Sequence, residues 1–199
     1  MLLGTCAFAL FVTVILAWFV SAPSPAIPES RAADLERPGD AGRGRLVFHA
    51  AGCASCHATP GQQDRLRLGG GLALASLFGT FHPPNISPDP DYGIGRRRTI
   101  DLANALMRGV SPLGQHYYPA LPYVDYAHMT VEDVRDLMAY LRTLQPVKDK
   151  PPAHDPAPHW VLETSLSGPI SRLSGRANCS RIAIASTPPS SRKKKAVTT

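Results

Sequence analysis

Apolar positions along this chain fall into three regimes. From Leu2 to Val20 they are almost continuous, with no charged residue and no polar face. A helix there rises ~1.5 Å per residue and reaches about 28 Å, close to the ~30 Å hydrocarbon core of a bilayer. Trp18 and Phe19 near its end suit a membrane interface. Between about Asp40 and Leu144 the pattern turns periodic. Leu46, Val47 and Ala50 form one stripe at helical spacing, with Asp40 as a predicted N-cap. Ile100 to Arg108 reads as a second helix. Val131 to Leu144 reads as a third, with Val134, Leu137, Met138 and Leu141 on one face. Thr130 is its predicted N-cap, with Asp133 three residues on as a variant of the capping box. Beyond Pro151 sustained periodicity disappears.

This layout predicts four parts. Residues 1–22 are a transmembrane anchor or a signal sequence. The apolar run exceeds the ~7–15 residues of an ordinary signal core. It also lacks a basic start, and Pro23 would follow the cleavage point, so the anchor is the expectation. Residues 23–38, rich in proline, read as an extended linker. Residues 39–150 form the folded domain, a length of about 110 residues that is enough for a single core. Residues 151–199 read as a mostly disordered basic tail, with a short turn expected over Trp160 to Leu166.

Composition sharpens this. Twenty prolines among 199 residues, about twice the usual ~5%, predict long ordered loops between the helices. The net charge of +6 is concentrated in Arg96-Arg97-Arg98 and Arg192-Lys193-Lys194-Lys195. No basic stripe is interleaved with aromatics, so no nucleic-acid interface is expected. A solvated surface or an acidic partner fits better.

The four cysteines do not form a disulfide framework. Cys6 lies in the apolar block and Cys179 in the tail. The other two stand in Cys53-Ala54-Ser55-Cys56-His57. Cys-x-x-Cys-His is the attachment motif of haem c. Two thiols a helical turn apart add to the two vinyl groups, and the adjacent histidine becomes the proximal iron ligand. A thioredoxin-like redox pair would want a βαβ context, and a zinc site a second ligand pair. Neither is present. One covalent haem c is expected, on Cys53, Cys56 and His57.

Candidates for the distal ligand are Met107, Met129, Met138, His49, His82, His116 and His128. Met138 and Met107 sit on apolar helix faces and read as core. Met129 follows the loop Tyr117-Tyr118-Pro119-Ala120-Leu121-Pro122-Tyr123 and directly precedes a capped helix start. It is the expected sixth ligand, with His128 and His116 as rivals. Methionine in that place raises the potential relative to histidine. The expected function is electron transfer. The alternative is a haem enzyme such as a peroxidase, with an open or displaceable sixth site and His128 or His116 as distal acid/base.

From about Gly44 to Val147 the chain resembles the cytochrome c domains of bacterial membrane-bound alcohol, gluconate and nicotinate dehydrogenases. The matching residues are Gly52 to His57, Leu68-Gly69-Gly70-Gly71, Phe78-Gly79-Thr80-Phe81, Pro84-Asn85-Ile86-Ser87-Pro88-Asp89, Gly93-Ile94-Gly95, Tyr118 to Tyr123 and Met129-Thr130 to Tyr140-Leu141. Many such relatives carry methionine at the place of Leu121 and tryptophan in the Arg96-Arg97-Arg98 segment. The multi-haem ones repeat the attachment motif, which occurs once here.

The resemblance implies an all-α cytochrome c fold with long Pro/Gly-rich loops, preceded by a single apolar helix. An N-terminal helix would cross a C-terminal one, Gly44 or Phe48 meeting Tyr140, and the loop from Pro83 to Asp91 would line the haem. It also implies a dehydrogenase subunit as electron donor, and an oxidase or another cytochrome as acceptor. Together with the apolar run, which exports the domain whether it is anchor or signal, the expected location is the periplasmic side of the bacterial cytoplasmic membrane, with residues 2–20 as anchor. Asn85 is expected to hydrogen-bond backbone in a turn, not to carry a glycan.

Overall fold

The computed structural model describes residues 2–118 and 120–157 of the chain. The apolar block forms a helix, α1 (Leu2–Ser21). Phe8, Leu10, Phe11, Leu16, Trp18, Phe19 and Val20 on it are exposed. Among the described residues, no helix is long and apolar enough to cross a membrane. This corrects the expectation of a span over residues 2–20: the fold shows an apolar helix with its side chains uncovered.

The stretch expected to be an extended linker carries structure. After a 3₁₀ turn (Glu29–Arg31) comes α2 (Ala32–Leu35). Ile27 and Leu35 are buried in one apolar cluster with Ile100, Ala103 and Val134. The Ile27 backbone is held at both polar groups by the Asn104 carboxamide, N–H to Oδ1 at 3.0 Å and Nδ2 to C=O at 3.3 Å.

The domain proper rests on the crossing of α3 (Ala41–Ala50) and α7 (Val131–Leu141). Asp40 caps α3, accepting from the amides of Gly42 and Arg43. Thr130 and Asp133 close a reciprocal capping box on α7. At the crossing, Gly44 lies against the Asp136 carbonyl and the Tyr140 Cβ. Phe48 packs on Tyr140 with ring centroids 5.3 Å apart. The contact anticipated between Gly44 or Phe48 and Tyr140 forms through both.

The crossing also buries a charge. One Asp136 oxygen accepts the Asp40 amide at 2.7 Å, and the other accepts Arg43 Nε at 2.8 Å. Burial alone would raise this carboxyl, but the amide and the guanidinium hold it below the usual carboxylate range. A carboxyl depressed in the folded state stabilises above its unfolded pKa, about 3.9, and that contribution fades as pH falls through the folded value. Asp136→Asn is therefore expected to lower the melting temperature at neutral pH. The gap to wild type should narrow as pH falls below the unfolded value of about 3.9 and through the lower folded value. A melting difference that stayed constant over that range would refute this assignment.

Between the crossing helices lie α4 (Cys53–His57), α5 (Thr99–Arg108) and α6 (Tyr123–Tyr126). The expectation of an all-α fold needs one correction. Three short antiparallel strands, β1 (Leu74–Ser76), β2 (Gly79–Phe81) and β3 (Asp155–Pro156), form a small sheet in that order. The long loops predicted from proline and glycine must satisfy their backbone groups somewhere. The hairpin at Leu77 does so, with Gly79 at φ 115 and the Ser76 hydroxyl accepting the Phe78 amide at 3.1 Å. β3 shows that the chain is still ordered past Pro151. Trp160 to Leu166, the basic end and Cys179 lie outside the described residues.

Candidate haem site

The attachment motif coincides with α4. Gly52 precedes it at φ 67, the left-handed turn by which the chain leaves α3 and starts a new helix at once. Cys53 and Cys56 are then one turn apart on a short helix. The end of α3 is fastened from the far side of the site by Tyr126, whose hydroxyl donates to the Ala51 carbonyl at 2.9 Å.

His57, half-buried, makes its ring contact through Nδ1, 2.8 Å from the Pro84 carbonyl oxygen. A carbonyl can only accept, so Nδ1 carries the proton and Nε2 keeps its lone pair. Burial holds the imidazole below its ordinary pKa despite this bond. A neutral ring with one nitrogen tied to backbone is the form in which histidine binds a metal.

The Pro84 carbonyl is itself fixed. Gly70 donates to the His57 carbonyl at 2.8 Å and Gly71 to the Pro83 carbonyl at 2.9 Å. Gly70 has φ 70, and any Cβ there would strike the Pro83–Pro84 backbone. Asn85 ties the same loop to the chain end, donating from Nδ2 to the carbonyls of Val147 at 2.6 Å and Asp149 at 3.0 Å. Its carboxamide oxygen accepts the Ser87 amide at 2.9 Å. Asn85 thus bonds backbone, as anticipated, and is buried.

Around α4 the walls are apolar. Cys53, Ala54, Ile86, Ile94, Leu106 and Met129 pack on the cluster of Phe48, Leu68, Leu137, Tyr140 and Leu141. Burial pushes the Cys53 thiol up to about 11. Among the described residues, no group of three or more His, Cys, Asp and Glu could hold a metal ion. Cys53 is a free thiol, whereas Cys56 is disulfide-bonded in this structure; with that bond reduced, the donor set fits a haem: two cysteines on one helical turn, one neutral imidazole whose Nε2 keeps its lone pair, and a dry wall.

The distal candidates separate by position. Met138 is 1% exposed in the interior of α7. Met107 packs on the Ile27/Ile100 cluster. His49 and His128 are exposed. His82 Nδ1 lies 3.1 Å from the Ala153 carbonyl oxygen. His116 is half-buried beside Val110, with Nε2 buried and unpartnered among the described residues. Met129 is half-buried and packs against the Cys53 cluster and the Ile27 cluster together. Its amide donates to Tyr126 at 3.0 Å, and the Thr130 cap follows directly. The sequence pointed to Cys53, Cys56, His57 and Met129. It did not point to the Pro84 carbonyl, Gly70 or Tyr126 in these roles, although Leu68 to Gly71 and Pro84 to Asp89 stood among the motifs of the family resemblance.

Residues 41–145 match the protein family described as Cytochrome c. The chain is 52% identical over 149 residues to a diheme cytochrome c-type protein of Cereibacter sphaeroides, covering 65% of this chain and 50% of that one. It is 40% identical over 112 residues to a nicotinate dehydrogenase subunit of Pseudomonas putida, covering 56% of this chain and 9% of that one. It is 35% identical over 139 residues to the fructose dehydrogenase cytochrome subunit of Gluconobacter japonicus, covering 70% and 27%. The chain thus spans half or less of the length of these relatives.

Proposed function

The chain belongs to the cytochrome c family, and from that premise we propose that it is a single-haem electron carrier serving a dehydrogenase on the periplasmic side of the bacterial cytoplasmic membrane. The observation that carries the reading is the bond from His57 Nδ1 to the Pro84 carbonyl at 2.8 Å, within a helix that presents Cys53 and Cys56 one turn apart. Bound there through two thioethers, haem c supplies reversible one-electron exchange at its iron.

The protein's own residues do the rest. Cys53 and, once its disulfide is reduced, Cys56 would hold the porphyrin through thioethers, and His57 Nε2 would bind the iron. Met129 is the distal ligand, and the apolar wall around Cys53 keeps water out. One haem per chain follows from one attachment motif in 199 residues. The diheme relative is twice as long as the part matched, leaving room for a second site outside it. The relatives' names are those of a cytochrome and of dehydrogenase subunits, and they lend the peroxidase alternative no support. They favour a dehydrogenase subunit as donor; the acceptor in this reading is an oxidase or another cytochrome.

The test is haem stoichiometry in the exported chain. One covalent haem per chain is expected by the pyridine haemochrome method, surviving denaturing electrophoresis. The double variant Cys53→Ala/Cys56→Ala should lose all covalent haem. Haem retained covalently by that variant would refute the site, and reduced haem that passes no electrons to an acceptor cytochrome would refute the carrier.

A further inference from the structure

We infer that the N-terminal strap from Ala26 to Glu36 is a positioning element for Met129. The inference rests on the reading of Met129 as the distal ligand. Methionine has three rotatable bonds and no shape of its own, so its sulfur is placed by the walls around it. One wall here contains Cys53 and Leu137. The other contains Ile27, Leu35, Ile100 and Val134. Met129 packs against both. Two of the residues in the second wall thus come from a segment that precedes the crossing helix α3 altogether.

The strap is fixed to α5 at three points. Asn104 holds both polar groups of the Ile27 backbone. The Glu29 carboxylate pairs with the Arg98 guanidinium, Nη2 to Oε2 at 3.3 Å. The Glu36 carboxylate accepts the Thr99 amide, at the start of α5, at 3.0 Å. The ion pair is exposed at both ends and contributes little by itself. The burial of Ile27 and Leu35 at 5% and 1% exposure is what closes the wall. Removing Ile27 would leave a cavity behind the Met129 packing. The arrangement in which Met129 is seated would then lose stability relative to one in which it has swung away.

An external ligand reads that balance, because imidazole added to the ferric protein must displace Met129. Its apparent affinity scales with the population in which the site is open. The full-length haem-loaded chain is compared with Ile27→Ala, Ile27→Val, Asn104→Ala and, as a control at a buried residue outside both clusters, Phe81→Leu. Ile27→Ala is expected to bind imidazole at least roughly tenfold tighter, with a weaker far-red sulfur-to-iron band and unchanged covalent haem. Asn104→Ala should move in the same direction, and Ile27→Val less than Ile27→Ala. Should Ile27→Ala fail to accumulate, Asn104→Ala and Ile27→Val decide.

Imidazole affinities equal to wild type in the strap variants would overturn the inference while leaving Met129 as ligand. So would an equal gain in Phe81→Leu, which would trace the effect to general loosening. A wild-type protein without the far-red band, together with a Met129→Ala variant of unchanged imidazole affinity, would instead remove the ligand reading itself.

Discussion

Gly44→Ala is expected to destabilise the haem-loaded domain by roughly 3 kcal/mol or more, above the median for a point substitution. Helix propensity alone predicts the opposite sign, since alanine improves a helix interior over glycine by about 1 kcal/mol. Packing decides. A Cβ at Gly44 would run into the backbone carbonyl of Asp136 and come within 2.9 Å of the Tyr140 Cβ. The struck atoms belong to a helix backbone and a branch point, so no rotamer change relieves the overlap. The two helices would have to separate, disturbing the Phe48–Tyr140 contact and the bonds of Asp136 to Asp40 and Arg43.

Gly42→Ala is the internal control. It lies in the same helix, where an added Cβ meets only the capping Asp40 carboxylate, at 3.1 Å, and no backbone of another element. That variant should be neutral or slightly stabilised. Guanidinium unfolding of both, followed by far-UV circular dichroism, checks the contrast. A Gly44→Ala midpoint at or above the wild-type value would show that the crossing can open without loss.

Why Gly44 was readable in advance, and Ile27 was not, is a matter of range. The helix containing Gly44 announces itself through a stripe of period 3.6 and the Asp40 cap, and both are local signals. The same holds for α7, where Thr130 and Asp133 mark the boundary that the structure shows. Cys53, Cys56 and His57 are close together in sequence, so their chemistry needs no tertiary information. Ile27 is different. It is one apolar residue in a run of prolines, and only pairing with Asn104, far along the chain, makes it core.

The small sheet was invisible for a related reason. Its strands have two or three residues each, too short for an alternating pattern to emerge. The third strand pairs across a long stretch of chain. The Pro84 carbonyl carries no side-chain signature at all, because what His57 uses is backbone.

Met129→Ala is expected to abolish the far-red sulfur-to-iron band of the ferric protein and to lower the reduction potential by on the order of 100 mV or more. Axial-ligand choice spans about 0.8 V across haem proteins, with methionine at the high end relative to histidine. Among the described residues, several other sulfurs and imidazoles are conceivable substitutes, and position separates them. Met138 is sealed inside α7 at 1% exposure. Reaching the haem site would mean unwinding the helix that α3 crosses, so Met138→Leu should leave band and potential unchanged. Met107 packs on the strap-side cluster and is not among the residues against the Cys53 wall.

His128 adjoins Met129 but is exposed. If it filled the site in Met129→Ala, the spectrum would become low-spin without the sulfur band, and Met129→Ala/His128→Ala would then turn high-spin. Optical and electron paramagnetic resonance spectra of the three variants distinguish these cases, and potentiometry gives the shift. A band that survives Met129→Ala would move the ligand to another methionine and free Met129 for a purely structural part. A band lost with no fall in potential would break the link between the sulfur ligand and the redox poise on which the carrier reading depends.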